Sequence, residues 1–115
     1  MNIPLLQAIK KAILKHPRQF NMFQFFNRQR CIAGWAVHLH VGGKRIDATA
    51  AVCGDIHAEA QDLLGITFTE SDRLFYCEEW PDRLANAYNN AKSATEAAKI
   101  AAKRIGRFIR TKGAE

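Results

Sequence analysis

At 115 residues, 48% of them hydrophobic and 24% charged, the chain is long enough for one packed core and too short for two; with three prolines and seven glycines it is neither disordered nor fibrous in composition. Its three cysteines, Cys31, Cys53 and Cys77, are an odd number without a Cys-x-x-Cys pair, which excludes a dense disulfide scaffold and favours a reducing, cytoplasmic setting. The net charge of +6 is unevenly spread: six bases and no acid precede Cys31, nine of the eleven acids lie between Asp47 and Asp82, and seven bases face Glu96 alone from Lys92 to Lys112.

From Ile3 to His16, Leu5, Leu6, Ile9, Ala12 and Ile13 recur at helical spacing, with Gln7, Lys11 and Lys15 opposite them. This predicts an amphipathic helix, ended by Pro17. Gln7, Lys10 and Lys11 interrupt it, so it reads neither as a signal peptide nor as a membrane span, and no serine precedes Ser71 as a transit segment would require. Between Gln19 and Asn27, Phe20, Met22, Phe23, Phe25 and Phe26 carry too much apolar surface to leave in water. A short helix capped by Asn21 is predicted there, with a buried turn as the alternative.

The run Cys31 to Val41 places Ile32, Trp35, Ala36 and Leu39 on one helical stripe beside the small Ala33 and Gly34, and this is taken as the central helix of the fold. Its end, Val37-His38-Leu39-His40-Val41, alternates as a strand would, and Gly42-Gly43 closes the element either way. Residues 44–53 read as a loop with short β-like or helical character. Asp55 is then the predicted N-cap of a helix burying Ile56, Ala60, Leu63 and Leu64 and stopped by Gly65. Thr69 to Asp72 has capping-box spacing, predicting a helix to about Glu79 that buries Leu74, Phe75 and Cys77 or Tyr76. Pro81 opens a further helix with Leu84, Ala85, Tyr88 and Ala91 inward. Ser93 to Glu96 is a second capping box, starting a helix with an apolar stripe of Ala97, Ala98, Ala101, Ile105, Phe108 and Ile109. Gly113 stops that helix, and residues 113–115 are expected to fray. The sum is one all-α domain over residues 1–115, a bundle of five or six short helices.

Three stretches together, Cys31-Ile32-Ala33-Gly34-Trp35-Ala36, Ala60 to Thr67, and Arg73-Leu74-Phe75-Tyr76 with Trp80-Pro81, resemble a small uncharacterised family of bacterial and phage proteins. Arg104-Ile105 to Phe108-Ile109 is similar to that family's C-terminal part. The resemblance implies an all-helical single domain and no assigned activity. Relatives often carry a Cys-Gly-Thr-like stretch before the core motif, whereas Asn27-Arg28-Gln29-Arg30 stands here, so a second thiol beside Cys31 is missing.

Cys31 is the candidate catalytic nucleophile, since a helix N-terminus with Arg28 and Arg30 nearby would lower its pKa, and His38, His40 or His57 would serve as base. No cysteine-hydrolase motif surrounds it, and a small thiol beside Ile32 suits a core, so no catalytic role is assigned. Cys53 and His57, four residues apart, are the candidate metal ligands; paired ligands at short spacing are otherwise absent, and neither a metal nor a cofactor is implied. Glu78-Glu79 and the Asp55, Glu59, Asp62 set read as solvated acids, and Gly42-Gly43-Lys44 lacks the spacing of a phosphate loop.

The best binding signal is the basic face Lys99, Lys103, Arg104, Arg107 and Arg110, joined by Lys10, Lys11 and Lys15 if the two terminal helices pack together. No helix-turn-helix, zinc finger or base-reading motif accompanies it. A non-enzymatic binding protein acting through protein contacts is therefore expected, with another protein or a second copy as partner, nucleic acid as the alternative, and no membrane association.

Overall fold

Why each segment is helical follows from its periodicity, and where each helix stops follows from a cap, a glycine or a proline. The structure, a computed structural model, describes residues 1–24, 29–40 and 53–115, without the side chains of residues 53–55. Six α-helices form among these residues: α1 (Ile3–Lys15), α2 (Ile32–His40), α3 (Cys53–Leu64), α4 (Phe68–Phe75), α5 (Asp82–Asn89) and α6 (Ala94–Arg110). This is the all-α bundle read from the sequence. No helix among the described residues is long and apolar enough to cross a membrane.

Helix α1 starts at Asn2, whose side-chain oxygen accepts the Leu5 N–H at 3.1 Å, and ends at His16 before Pro17. Leu6, Ile9 and Ile13 are its buried face, set against α6 and α2. The described part of the aromatic segment, through Gln24, is a turn and not a helix: a short 3₁₀ turn at Pro17–Gln19 leads to Phe20, which bridges to Arg30. Asn21 caps a turn and not a helix, since its side chain accepts the Phe23 N–H at 2.8 Å. Phe20 and Met22 are buried but Phe23 is 65% exposed, so the segment is not uniformly core; Phe25 and Phe26 lie outside the described residues.

Helix α2 is buried along its first two-thirds, Ile32 through Val37, because no polar side chain interrupts that run. It packs on α3 and α1, which makes it central, and the alternating tail is helical as far as His40, Val41 lying outside the described residues. The predicted β-like character at 44–53 falls outside the described residues except at Cys53, which opens α3. Asp55 is consequently inside the first turn and not at the N-cap. Ile56, Ala60 and Leu64 face the core, and Gly65 at φ 62° ends α3 in a Schellman-like turn with the Ile66 N–H donating to the Gln61 carbonyl at 3.2 Å.

The capping box of α4 is Thr67 with Glu70, not Thr69 with Asp72: Thr67 Oγ1 accepts the Glu70 N–H at 3.1 Å, and the Glu70 carboxylate accepts the Thr67 N–H at 2.8 Å. Both pairs fit the sequence pattern; the first leaves Leu74 and Phe75 inward. Helix α4 stops at Phe75, earlier than Glu79, and a 3₁₀ turn over Cys77–Glu79 follows. There Cys77 is buried and Tyr76 is exposed. Trp80 locks this corner by donating its indole N–H to the Leu74 carbonyl at 2.9 Å.

Helix α5 contributes Ala85 and Tyr88 to the core, with Leu84 and Ala91 partly buried against it. Tyr88 packs edge-on against Phe20 and Trp80, and its hydroxyl accepts the Met22 N–H at 2.9 Å. Ser93 caps α6, while the Glu96 carboxylate reaches back to the Lys92 N–H and does not close the box on Ser93 itself. The buried face of α6 is wider than the predicted stripe, taking in Ile100, Ala102 and Arg104, because α1, α4 and α5 all pack against it.

Candidate functional site

The packing of α1 and α5 on α6 leaves a groove of about 700 Å³ between the three helices. Lys10 from α1, Arg83 from α5, and Lys99, Lys103, Arg107 and Arg110 from α6 line it, and no carboxylate does. Leu14, Leu84, Ala87, Ile100 and Ala102 supply its apolar surface. The arrangement follows from spacing: Lys99, Lys103 and Arg107 recur every four residues along α6, and Arg110 is seven beyond Lys103. Gly106 lies between them with no side chain to separate the walls. A Cβ there would stand 3.5 Å from Lys10 Nζ and 3.4 Å from Arg110 Nη1, so cations from two helices converge on one point.

Among the groove cations, Arg107 pairs with Glu115, its Nη2 lying 3.0 Å and its Nε 3.2 Å from Oε2. The other five have no carboxylate partner among the described residues. Like charges at four-residue spacing on one helix, here Lys99 with Lys103 and Lys103 with Arg107, repel by a few tenths of a kcal/mol per pair.

Arg104 does not belong to this face. It is 0% exposed, about 100° round α6 from Lys103, and its Nη2 donates to the Arg73 carbonyl at 3.0 Å. Its Nη1 donates to the Glu115 carbonyl, and its guanidinium lies 5.7 Å from the Phe108 ring centre. Burial first, and then the charge of Arg107, pull its pKa down to about 10, with Glu115 opposing. Arg73 in turn donates through Nη1 to the Gly113 carbonyl at 2.9 Å. Three arginines contact residues 113–115: Gly113 takes φ 82°, the main-chain oxygens of 113 and 115 accept from Arg73 and Arg104, and the Glu115 carboxylate accepts from Arg107.

Lys11 and Lys15 also point elsewhere. They line a second cleft of about 370 Å³ between α1 and α2, with His16, Gln19, Trp35, His38 and Leu39. Trp35 organises it: the indole N–H donates to the Gln19 carbonyl at 3.2 Å, His16 stacks on the ring, His38 meets it edge-on, and the Arg30 guanidinium sits 5.1 Å from its centre. Burial, and then Arg30, push the pKa of His38 down. His40 at the end of α2 is exposed.

The sequence candidates for chemistry are dispersed. Cys31 is 1% exposed, and its carbonyl accepts the Trp35 N–H at 2.9 Å to begin α2, which places the thiol in the core. Cys77 is likewise buried, its thiol pushed up to about 11 by burial and by its contact with Glu78. His57 rests against the Phe75 and Tyr76 rings with Nδ1 3.2 Å from the Tyr76 hydroxyl, and burial lowers its pKa while Asp72 raises it. The Cys53 side chain lies outside the described residues. No three His, Cys, Asp or Glu side chains are grouped as a metal site among the described residues.

Sequence reasoning missed Arg83 and the apolar floor. Arg83 is four residues before Ala87 and so shares its helix face, but it follows an acidic run and had no basic neighbour to mark it. No family model matches the chain, and no curated protein or solved structure does either.

Proposed function

We propose that the protein is a non-enzymatic interaction protein that holds an anionic macromolecular partner in the groove between α1, α5 and α6. The observation that carries this reading is the set of six cations over an apolar floor with no carboxylate among the lining residues. Such a surface raises the local concentration of anions and steers their approach, while the apolar floor adds contact area that charge alone does not. The burial of Cys31 and Cys77 supports a role without thiol catalysis, and three widely spaced cysteines without a Cys-x-x-Cys pair suit a reducing, cytoplasmic setting. The family resemblance carries no chemistry, so the reading rests on the groove.

Retention on immobilised heparin, a sulfated polyanion, tests it. Two double variants of equal net charge are compared with the parent: Lys103→Glu with Arg110→Glu in the groove, and Lys11→Glu with Lys15→Glu in the second cleft. The groove variant is expected to elute at clearly lower salt than the cleft variant. Equal elution of the two would mean that bulk charge alone, and not the groove, governs binding.

A further inference from the structure

We infer that the occupant of this groove is an acidic, amphipathic stretch of another polypeptide, with carboxylates for its rim and apolar side chains for its floor. The inference rests on the groove being the binding face. Four features favour polypeptide over nucleic acid. A phosphate backbone would satisfy the cations but leave Leu14, which is 44% exposed at the edge of the groove, without an apolar counterpart. Single-stranded nucleic acids gain their affinity by stacking bases on aromatic rings, and no aromatic residue lines this groove. A polypeptide carboxylate already occupies one rim cation, since Glu115 engages Arg107 through two nitrogens. Finally, Lys10 and Arg110 converge over Gly106 in a way that suits one carboxylate placed between them.

The spacing is also that of a helix partner. Lys99 to Arg110 covers about 16 Å of the α6 axis at about 1.5 Å per residue, or roughly three helical turns. A partner helix with a glutamate on each turn and leucines at the adjoining positions would meet a rim cation at every turn and lay its leucines on the exposed Leu14 and the half-buried Leu84. Because Glu115 binds Arg107 at the exposed rim, such a partner would displace a weak contact and not a buried one.

The test uses a fluorescein-labelled helical peptide of about five turns carrying that glutamate and leucine pattern, the same peptide with serine for leucine, and single- and double-stranded oligonucleotides of equal charge. Anisotropy is read with the parent protein and with the Lys103→Glu, Arg110→Glu variant, whose circular dichroism melt verifies that it is folded. The leucine peptide is expected to bind about tenfold more tightly than the serine peptide, both more tightly than the oligonucleotides, and the double variant to lose the peptide. Equal affinity of the two peptides, or tighter binding of an oligonucleotide that the double variant abolishes, would overturn the inference and leave the groove reading standing. If no probe distinguished the parent from the double variant, the groove reading itself would fall. Sedimentation of the parent as a dimer that the same variant dissociates would assign the groove to a second copy, and would equally overturn the inference.

Discussion

Lys10 Nζ and Arg110 Nη1 approach each other over Gly106, each within 3.5 Å of the position that a Cβ would take. With Lys99, Lys103 and Arg107 along the same helix, this repulsion should make the free protein less stable than its packing allows. Lys103→Glu converts two repulsive four-residue spacings into attractive ones. It is expected to raise the unfolding free energy by about 0.5 to 1 kcal/mol, seen as a thermal midpoint a few degrees higher at low salt, while abolishing anion binding. Sodium chloride should stabilise the parent and have less effect on the variant. A variant less stable than the parent would show that the groove is not strained.

Arg104 is the buried counterpart to that face. Replacing it with alanine leaves the Arg73 and Glu115 carbonyls without their donor and opens a cavity beside Phe108. A loss of about 3 kcal/mol in urea unfolding is predicted. Arg104→Lys should recover little, because one ammonium cannot reach both carbonyls in the geometry of the guanidinium fork. An alanine variant within about 0.5 kcal/mol of the parent would contradict the clamp.

Two threonines near the start of α4 separate the observed cap from the other one that the sequence pattern allows. Thr67→Ala removes the bond to the Glu70 N–H and should destabilise by about 1 kcal/mol, whereas Thr69→Ala, inside the first turn, should stay within about 0.5 kcal/mol of the parent. Chemical denaturation of the pair reads the difference directly.

Cys77 gives a pH signature. Its folded pKa is raised, from 9.0 to about 11, so the unfolded chain loses this proton first. The group's contribution is fully present below pH 9.0 and is lost as pH rises towards 11, amounting to about 2 kcal/mol. Cys77→Ala should flatten the fall in stability over that window. At neutral pH, in a Cys53→Ser background, iodoacetamide should label neither Cys31 nor Cys77 until the protein is unfolded. Rapid native labelling of Cys31 would return it to consideration as a nucleophile.

The elements most legible in the sequence were those whose period and punctuation agreed. Helix α1 has three- and four-residue apolar spacing and a proline stop, and α6 has a serine cap and a basic stripe. Lys99, Lys103, Arg107 and Arg110 of that stripe line the groove together. Arg104 was misplaced with them because a charged side chain at the border of a stripe reads as solvated, and its acceptors at Arg73 and Glu115 lie 31 and 11 residues away. Lys11 and Lys15 share α1 with Lys10, but the 100° step per residue turns them towards Trp35. The cap of α4 was ambiguous because Thr67 and Thr69 each precede an acid by three residues. Arg83 entered the groove only through the packing of α5 on α6, which no local pattern encodes.

The most direct test of the groove is amide chemical-shift mapping of isotopically labelled protein titrated with the acidic leucine peptide. The account predicts that the largest shifts cluster at Lys10, Arg83, Lys103, Gly106 and Arg110. Shifts centred on Lys11, Lys15, Trp35 and His38, or none at any residue at saturating peptide, would contradict it.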